Sequence, residues 1–502
     1  MLKIKKIIGL VSVIILLSCI SSSASGNEKT DAVYLNIEHE YILNSNGSIT
    51  YNYSHRVKLF TSYAVNRRFG ESFIVYNPDF QKLVINKSNT TMADGSVVES
   101  PFNAFNEVLP RFANHSAAYL NLREMVVTHI GLEKNAVIDF DYTITTQNGM
   151  FPSLIGKQII GDRVPIERMT IIVKVPKGKV LNYYLSKNEI KSVKSEDDKF
   201  DIYTWGFENI PLVEVESHQP GFEEICPVLY FSSASPNEVI DHMIANEKSL
   251  YHLSPQAHSI VKELVNGKQN NIEKAFAVQN YLQKYVGTMS GELVYTGFKP
   301  MNADEVFKRN DGSQLDKAVL LTAMLRAAEM DAVPVMVSQS SDMNGNISLV
   351  GGFENALVMC KGILPNGENL FLDPVDKQDG LIPNRIIGKT FFTVTPNPKC
   401  MDYSSDLLAQ NFLEMEGEFK IGEEGIITGL SELEIDGYFN KKYNTDDIAD
   451  DLKSGFKSQG YLLKVDSRAE YGMEKNSFTT KVNMSKILNK NEITGYYELE
   501  LP

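Results

Sequence analysis

The chain has 502 residues, 43% of them apolar and 22% charged, so its length suggests about three globular domains. A formal net charge of -14 argues against nucleic-acid binding, which requires a basic surface. The four cysteines, Cys19, Cys226, Cys360 and Cys400, are too few for a scaffold built from disulfides. If Cys19 carries a lipid, at most one disulfide can form within the chain.

Residues 1–25 read "MLKIKKIIGLVSVIILLSCISSSAS" and predict an export signal. Three lysines precede an apolar stretch at 7–17 that is too short for an ordinary membrane span. The sequence "LLSC" resembles a bacterial lipoprotein cleavage box with Cys19 as the lipidated residue, while ordinary cleavage after Ala24 is the alternative. We expect an exported envelope protein that faces the periplasm and meets the membrane through its lipid anchor only.

Residues 28–225 show the alternation of apolar and polar residues that is typical of β-strands, as in "YLNIEHEYIL" and "SITYNYSHRVKLF". The dipeptides Asn46-Gly47 and Asp94-Gly95 predict turns between strands. Regular short strands with such turns indicate an all-β sandwich. We expect Trp205, the only tryptophan, to pack in its core.

Residues 226–405 change to a mixture of helices and strands, which predicts an α+β domain. In "NADEVFKR", Asn302 and Glu305 have the spacing of a capping box. The next helix, "QLDKAVLLTAMLRAA", is apolar nearly all round and should be buried at the centre of its domain. The segments "VPVMVSQ", "ENALVMCKG" and "ENLFLDP" then predict strands.

Residues 406–502 are β-rich again, with one helix expected after Thr445. The sequence stops in the alternating segment "GYYELELP", so this C-terminal domain is either short or incomplete. An acidic cluster at 446–451 lacks the spacing of a calcium loop, and "DKQDG" at 376–380 is better explained as a turn. We expect no metal and no cofactor, because neither paired metal spacing nor a nucleotide motif is present.

The order of "NADEVF", "GSQLDKAVLLTAMLRAA", "GGFENALVM" and "LFLDP" resembles bacterial transglutaminase-like domains of the papain-like class. The N-terminal region, with "ADGSVV" and "NLREMVV", is similar to the domain of unknown function 3857 that often precedes them. The resemblance implies a Cys-His-Asp triad. Its cysteine position is Gln314 here, its histidine position Asn355 and its aspartate position Asp373.

These replacements remove the chemistry that the triad performs. The Gln314 amide is not a nucleophile, and the Asn355 amide does not titrate. No histidine follows His258, so a shifted alignment does not restore the base. Ser313 and Asp316 match a capping box rather than a catalytic pair, and Lys317 is interpreted as a packed or solvated neighbour.

Three functions therefore compete. The first is a non-catalytic transglutaminase-like envelope protein in which Gln314, Asn355 and Asp373 line a cleft that binds a peptide, a glycan or an envelope protein. In its simplest form the two amides only bond one another and fill space. The second is an active cysteine-type transglutaminase, amidase or protease that uses residues away from the family positions, such as His115 or His218. The third is a structural module whose β-domains bind and whose middle domain is a spacer.

Overall fold

The computed structural model describes residues 30–216, 219–365, 367–378 and 381–404, together with the backbone of strands at 2–8 and between 412 and 498. The chain forms two compact units. One contains residues 24–377 and 389–402, and the other contains residues 1–23, 378–388 and 403–502. The predicted domains 28–225 and 226–405 thus lie largely within a single compact unit.

Within the described residues, fifteen strands come before the long helices of the α+β region. They are β1 (Leu2–Ile8), β2 (Ala32–Leu43), β3 (Ile49–Leu59), β4 (Glu71–Tyr76), β5 (Gln81–Thr91), β6 (Val97–Glu99), β7 (Phe105–Val108), β8 (Arg123–Thr128), β9 (Val137–Thr146), β10 (Ile155–Ile159), β11 (Ile166–Pro176), β12 (Asn182–Leu185), β13 (Val193–Glu196), β14 (Phe200–Ile210) and β15 (Val228–Ser232). Short 3-10 turns occur at Phe102–Ala104, Arg111–Ala113 and Ala117–Tyr119, and a π turn occurs at Ala64–Arg68.

The N-terminal region is a β-sandwich, as its alternating pattern predicted. An eight-stranded sheet has the order β13-β14-β11-β2-β3-β9-β5-β6. Two three-stranded sheets, β10-β15-β12 and β4-β8-β7, contribute to the hydrophobic clusters on its inner side. Trp205 is fully buried in one cluster, as expected. Gly47 and Gly95 have positive φ at the two predicted turns, a conformation that glycine adopts without strain.

The predicted boundary at residue 226 falls before β15, which pairs with β10 and β12 of the sandwich. The remaining helices are α1 (Phe222–Ile225), α2 (Pro236–Met243), α3 (Glu247–Leu250), α4 (Pro255–Val265), α5 (Asn271–Tyr285), α6 (Ala303–Arg309) and α7 (Gln314–Ala327). Further 3-10 turns occur at Leu293–Thr296, Ile347–Gly352 and Asn384–Ile386.

The α+β region places its long central helix, α7, among strands and other helices. Its strands are β16 (Gly287–Met289), β17 (Asp311–Ser313), β18 (Ala332–Val337), β19 (Asn355–Cys360), β20 (Leu370–Leu372), β21 (Thr390–Thr393) and β22 (Cys400–Asp402). A five-stranded sheet has the order β20-β19-β18-β21-β22. Every residue of α7 from Leu315 to Leu325 is buried, which confirms the prediction of a central buried helix.

The capping box predicted at Asn302 is wrong. Asn302 is the N-cap of α6, but its side chain makes no capping hydrogen bond. Arg309, one turn along the helix, instead donates to the Glu305 carboxylate through both Nε and Nη2, at 3.1 and 2.8 Å. This pairing at i,i+4 removes Glu305 from the reciprocal bond that a capping box requires.

The second unit is strand-rich, as the C-terminal pattern predicted. It contains β23 (Phe412–Ile421), β24 (Ile426–Asp436), β25 (Leu462–Tyr471), β26 (Asn476–Ile487), β27 (Asn489–Lys490) and β28 (Tyr497–Glu498). The backbone at 2–8, inside the expected export signal, pairs with β23 in the five-stranded sheet β1-β23-β24-β26-β25. The helix expected after Thr445 and the acidic cluster at 446–451 lie outside the described residues.

Within the described residues, no helix combines the length and the apolar character that crossing a membrane requires.

Candidate functional site

The start of α7 is held by a reciprocal pair of hydrogen bonds, as the sequence predicted. The Asp316 N–H donates to Ser313 Oγ at 3.2 Å, and the Ser313 N–H donates to Asp316 Oδ2 at 2.7 Å. These bonds satisfy backbone groups that have no partner inside the helix. The capping box at Ser313 and Asp316 is therefore confirmed.

The Asp316 carboxylate also binds two segments that are distant in sequence. Its Oδ1 accepts from the Met301 N–H at 2.7 Å, and its Oδ2 accepts from the Tyr119 hydroxyl of the N-terminal sandwich. Asp316 is completely buried, and burial raises the pKa of its carboxyl. A single buried carboxylate thus ties the helix start to the preceding loop and to the sandwich.

A second carboxylate attaches the same segment of the sandwich to β17. Asp311 Oδ2 accepts from Ser116 Oγ at 2.5 Å and from the Ala118 N–H at 3.0 Å. Ser116, Ala118 and Tyr119 lie in or next to one 3-10 turn. The sandwich therefore supports the strand that leads directly into α7.

Gln314 is the first residue of α7, and its side chain contacts the start of β19. Its Nε2 donates to the backbone carbonyl of Glu354, and its Oε1 accepts from the Ala356 N–H at 3.3 Å. These two backbone groups flank Asn355. The amide therefore bonds to the strand in the way that a peptide group would.

Asn355 begins β19 and pairs with Val337 of β18. Its Nδ2 donates to Gln339 Oε1 at 3.0 Å. The simplest alternative, in which the Gln314 and Asn355 amides bond directly to one another, is not found, because the two side chains have these other partners. Both residues are partly exposed.

Asp373 directly follows β20, which runs antiparallel to β19 with Val358 opposite Leu372. The end of β20 and the start of β19 therefore lie at the same end of the sheet. Asp373 is 2% exposed, and its Oδ1 accepts from the N–H groups of Val375 and Asp376 at 2.8 and 2.9 Å. Its side chain stabilises a tight turn at residues 373–376. The turn predicted at 376–380 includes residues 379 and 380, which lie outside the described residues.

The fold thus brings the three predicted site positions to the same end of the five-stranded sheet. Gln314 bonds to the backbone on both sides of Asn355, and Asp373 follows the neighbouring strand at the same sheet end.

Lys317 is 1% exposed, so it is packed rather than solvated. Its Nζ donates to the Val286 carbonyl at 2.9 Å and to Thr288 Oγ1 at 2.7 Å. Burial lowers the pKa of this ammonium to about 8, although the carboxylates of Asp373 and Asp311 act in the opposite direction. The lysine therefore connects α7 to the chain at β16.

A cluster of charged residues, missed by the sequence analysis, lies beside this site. Lys157 Nζ, on β10, lies 2.8 Å from a carboxylate oxygen of Glu223, 3.3 Å from one of Glu354 and 3.5 Å from one of Glu292. Burial raises the pKa of the Glu354 carboxyl, and the attraction of Lys157 partly offsets this effect. Because the Glu354 carbonyl also accepts from Gln314, Lys157 links the sandwich to the site. No local signal in the sequence marks this lysine.

The described cysteines are free and are poorly suited to catalysis. Cys360 is fully buried at the far end of β19, as expected, and burial raises its pKa to about 12. Burial also raises the pKa values of Cys226 and Cys400. Since the thiolate is the nucleophile, these shifts oppose reactivity. Within the described part of the chain, no three His, Cys, Asp or Glu residues form a group that holds a metal ion.

The buried helix, the adjacent antiparallel strands and the gathered positions define a transglutaminase-like α+β domain. The transglutaminase-like superfamily model matches residues 258–350, and the model of the domain of unknown function DUF3857, a domain with solved structures, matches residues 45–214. The chain is thus a multidomain protein in which the DUF3857 domain precedes a transglutaminase-like domain. The superfamily match includes Gln314 and ends before Asn355 and Asp373.

A crystal structure described as a "putative protease" from Parabacteroides distasonis has a similar fold, with a TM-score of 0.68 and 23% sequence identity. The similarity covers 91% of this chain and 93% of that chain. At this level of identity, it supports the architecture alone. The comparison with curated proteins gave no match.

Proposed function

We propose that this protein is a non-catalytic transglutaminase-like protein of the cell envelope, whose cleft binds a peptide, a glycan or a protein partner. The observation that carries the proposal is the bonding of Gln314. Its amide bonds to Glu354 O and Ala356 N, the backbone groups on either side of Asn355. The resemblance aligns Gln314 with the nucleophile of the family and Asn355 with its base. A group engaged in this way supports structure and recognition, not acyl transfer.

The surrounding residues support the absence of cysteine chemistry. Asn355 cannot take up a proton, and the sequence has no histidine after position 258. Cys360, on the same strand as Asn355, is fully buried with a raised pKa. Its distance from Asn355 along the strand is about 17 Å, at roughly 3.4 Å per residue.

The same site keeps features that suit a polar ligand. Gln314 and Asn355 are both partly exposed, and their amides combine donor and acceptor atoms. The first turn of a long helix also favours a carbonyl oxygen or an anion, because its N–H groups point outwards along the axis. A peptide carbonyl or carboxylate is therefore the ligand group that we expect at the start of α7.

The location at the envelope rests on the sequence. We infer that Cys19 becomes the lipidated first residue of the mature protein and that acyl chains hold it on a membrane. The strand at 2–8 precedes this residue, so the mature chain would lack it. Intact-mass analysis of the mature protein tests this: an acylated chain that starts at Cys19 is expected, and an unmodified chain that starts at Ser25 contradicts it.

Activity assays test the central proposal. Purified protein should incorporate no amine and hydrolyse no peptide above background, because replacing the nucleophile and the base of a triad costs several powers of ten in rate. Each assay is run with and without a thiol alkylator, beside a Cys360→Ser variant. Turnover that the alkylator blocks in the natural chain, and that is lost in the Cys360→Ser variant, would overturn the proposal.

A further inference from the structure

A cavity of about 560 Å³ opens to solvent between two helical segments of the α+β region. One wall is formed by α3 and its flanking residues, within 246–252, and the other by residues of α6 and its N-cap, within 302–308. Small-molecule sites have volumes of roughly 300–1,000 Å³, so the cavity has the size for a small organic molecule. Its lining contains none of Gln314, Asn355 and Asp373, so it is separate from the cleft at the start of α7.

The two walls are held in place by the core and by one carboxylate. Leu250 and Leu253 on one side and Val306 on the other are buried. Asp304 Oδ1 accepts from the backbone N–H of Ser254 at 3.0 Å, and this bond connects the start of α6 to the start of α4. The cavity is therefore a fixed feature of the fold and needs no rearrangement to form.

The acidic side chains that line the cavity are already paired. Asp304 Oδ2 lies 2.7 Å from Lys308 Nζ, and Glu305 Oε1 lies 2.8 Å from Arg309 Nη2. Lys248 is exposed and has no ion-pair or hydrogen-bond partner for its side chain among the described residues. Of the charged residues that line the cavity, Lys248 thus keeps an uncompensated positive charge, in a chain whose formal net charge is -14.

Neutral polar groups of the lining also have hydrogen-bonding capacity to offer. The side chains of His252 and Asn302 are exposed and make no hydrogen bond within the described part of the chain. Asn246 Oδ1 accepts from the Ser249 N–H at 3.4 Å, which leaves the Asn246 NH2 group able to donate. A ligand in the cavity therefore meets a cation, an imidazole and two amides without displacing a bond of the fold.

We propose that this cavity binds a small organic anion that is rich in hydroxyl groups, of the chemical class of sugar acids and sugar phosphates. Lys248 and His252 meet the carboxylate or phosphate group, because ammonium and imidazole groups donate charge-assisted hydrogen bonds to both. The two amides bond to hydroxyl groups, since each combines donors with an acceptor.

The paired carboxylates of the lining decide between an anionic sugar and a bare anion. Asp304 and Glu305 keep lone pairs that accept from hydroxyl groups, and they repel an anion that has no such donors. The hydroxyl groups of a sugar therefore make its binding more favourable than that of an inorganic ion of the same charge. Because this site shares no residue with the cleft at Gln314, either proposal can fail without the other.

Titration calorimetry on the purified protein tests the site. The probes are glucuronate and glucose 6-phosphate as anionic sugars, glucose as the neutral control, and inorganic phosphate as the bare anion. We expect at least one anionic sugar to bind saturably with a dissociation constant of about 1 mM or below, and both controls to bind at least about tenfold more weakly. The tighter of the two anionic sugars identifies the preferred charged group. Saturable binding of neither anionic sugar, or equal binding of glucose or phosphate, would overturn the proposal.

A matched pair of variants assigns the binding to the cavity. Lys248→Gln removes the charge of an exposed side chain without an internal partner, so stability should hold while affinity for the anionic sugar falls about tenfold, the effect of one lost charge-assisted hydrogen bond. Lys262→Gln changes the net charge equally at an exposed position of α4 outside the cavity and should bind like the natural chain. Unchanged affinity in Lys248→Gln, or an equal loss in Lys262→Gln, would contradict the assignment.

Discussion

Two sets of residues that meet at the start of α7 differ in how tightly the fold holds them. Ser313, Asp316 and Lys317 are at most 1% exposed. Ser313 and Asp316 bond to each other, and Asp316 and Lys317 also bond to groups outside the first helix turn. Gln314 and Asn355, which the resemblance aligns with the nucleophile and the base, are partly exposed. The first set anchors the helix start, and the second set borders solvent beside it.

Under the proposed non-catalytic function, this contrast explains how the fold stays stable without the chemistry of the triad. A buried carboxylate or ammonium must be paired, because leaving its partners without hydrogen bonds costs free energy of folding. A partly exposed amide carries a much smaller penalty, since water replaces a lost partner. We therefore expect the anchors to control stability and the triad positions to control only what the cleft can do.

The largest effect should come from Asp316→Ala. It leaves the Tyr119 hydroxyl and the N–H groups of Met301 and Ser313 without their acceptor, so we expect a loss of about 3 to 5 kcal/mol in the free energy of unfolding. Urea denaturation measures it. Glu305→Ala is the matched control, because its pairing with Arg309 is solvent-exposed and should contribute about 0.5 kcal/mol or less. Equal losses in the two variants would remove the contrast.

Lys317→Met should change how stability depends on pH. The folded-state pKa of Lys317 is about 8, below the ordinary value of 10.5, so between these values the unfolded chain binds more protons than the folded one. The natural chain should therefore gain stability, of the order of 3 kcal/mol, as the pH rises from 8 to 10.5. The variant should lack this increment. Urea denaturation of both proteins at several pH values between 8 and 10.5 measures the difference. If the free energy of unfolding changes with pH in the same way in both proteins, the lowered pKa of Lys317 is refuted.

Gln314→Ala should have the smallest effect. It removes one donor and one acceptor at a partly exposed position, so we expect a loss of about 1 kcal/mol. Thermal unfolding of the variant beside the natural chain measures it. A loss above about 3 kcal/mol would mean that Gln314 belongs with the anchors, and the distinction between the two sets would fail.

Much of the fold follows from local patterns in the sequence. Strand alternation, the turns at Gly47 and Gly95 and the largely apolar helix α7 depend on neighbouring residues, and all are found in the structure. The resemblance to transglutaminase-like domains brought together Gln314, Asn355 and Asp373, which no periodicity connects.

Other parts of the site depend on long-range packing and left no local signal. The sequence does not indicate that Tyr119 of the sandwich reaches Asp316, or that Lys157 reaches Glu354. The hydrogen-bond partners of individual side chains were also not predicted. Asn355, for example, bonds to Gln339 rather than to Gln314. Which partner a side chain bonds to depends on the groups that the folded packing brings within hydrogen-bond distance. The spacing of residues in the sequence does not determine this.

The most direct test of the proposed function introduces the cysteine and the histidine that the resemblance implies at positions 314 and 355. The double variant Gln314→Cys with Asn355→His places a thiol in the first turn of α7, where free N–H groups favour the thiolate, and an imidazole at the start of β19. Amine incorporation is compared in the natural chain and the double variant. We predict background incorporation in the natural chain and incorporation above background in the double variant. Turnover by the natural chain at or above the level of the double variant would contradict the account.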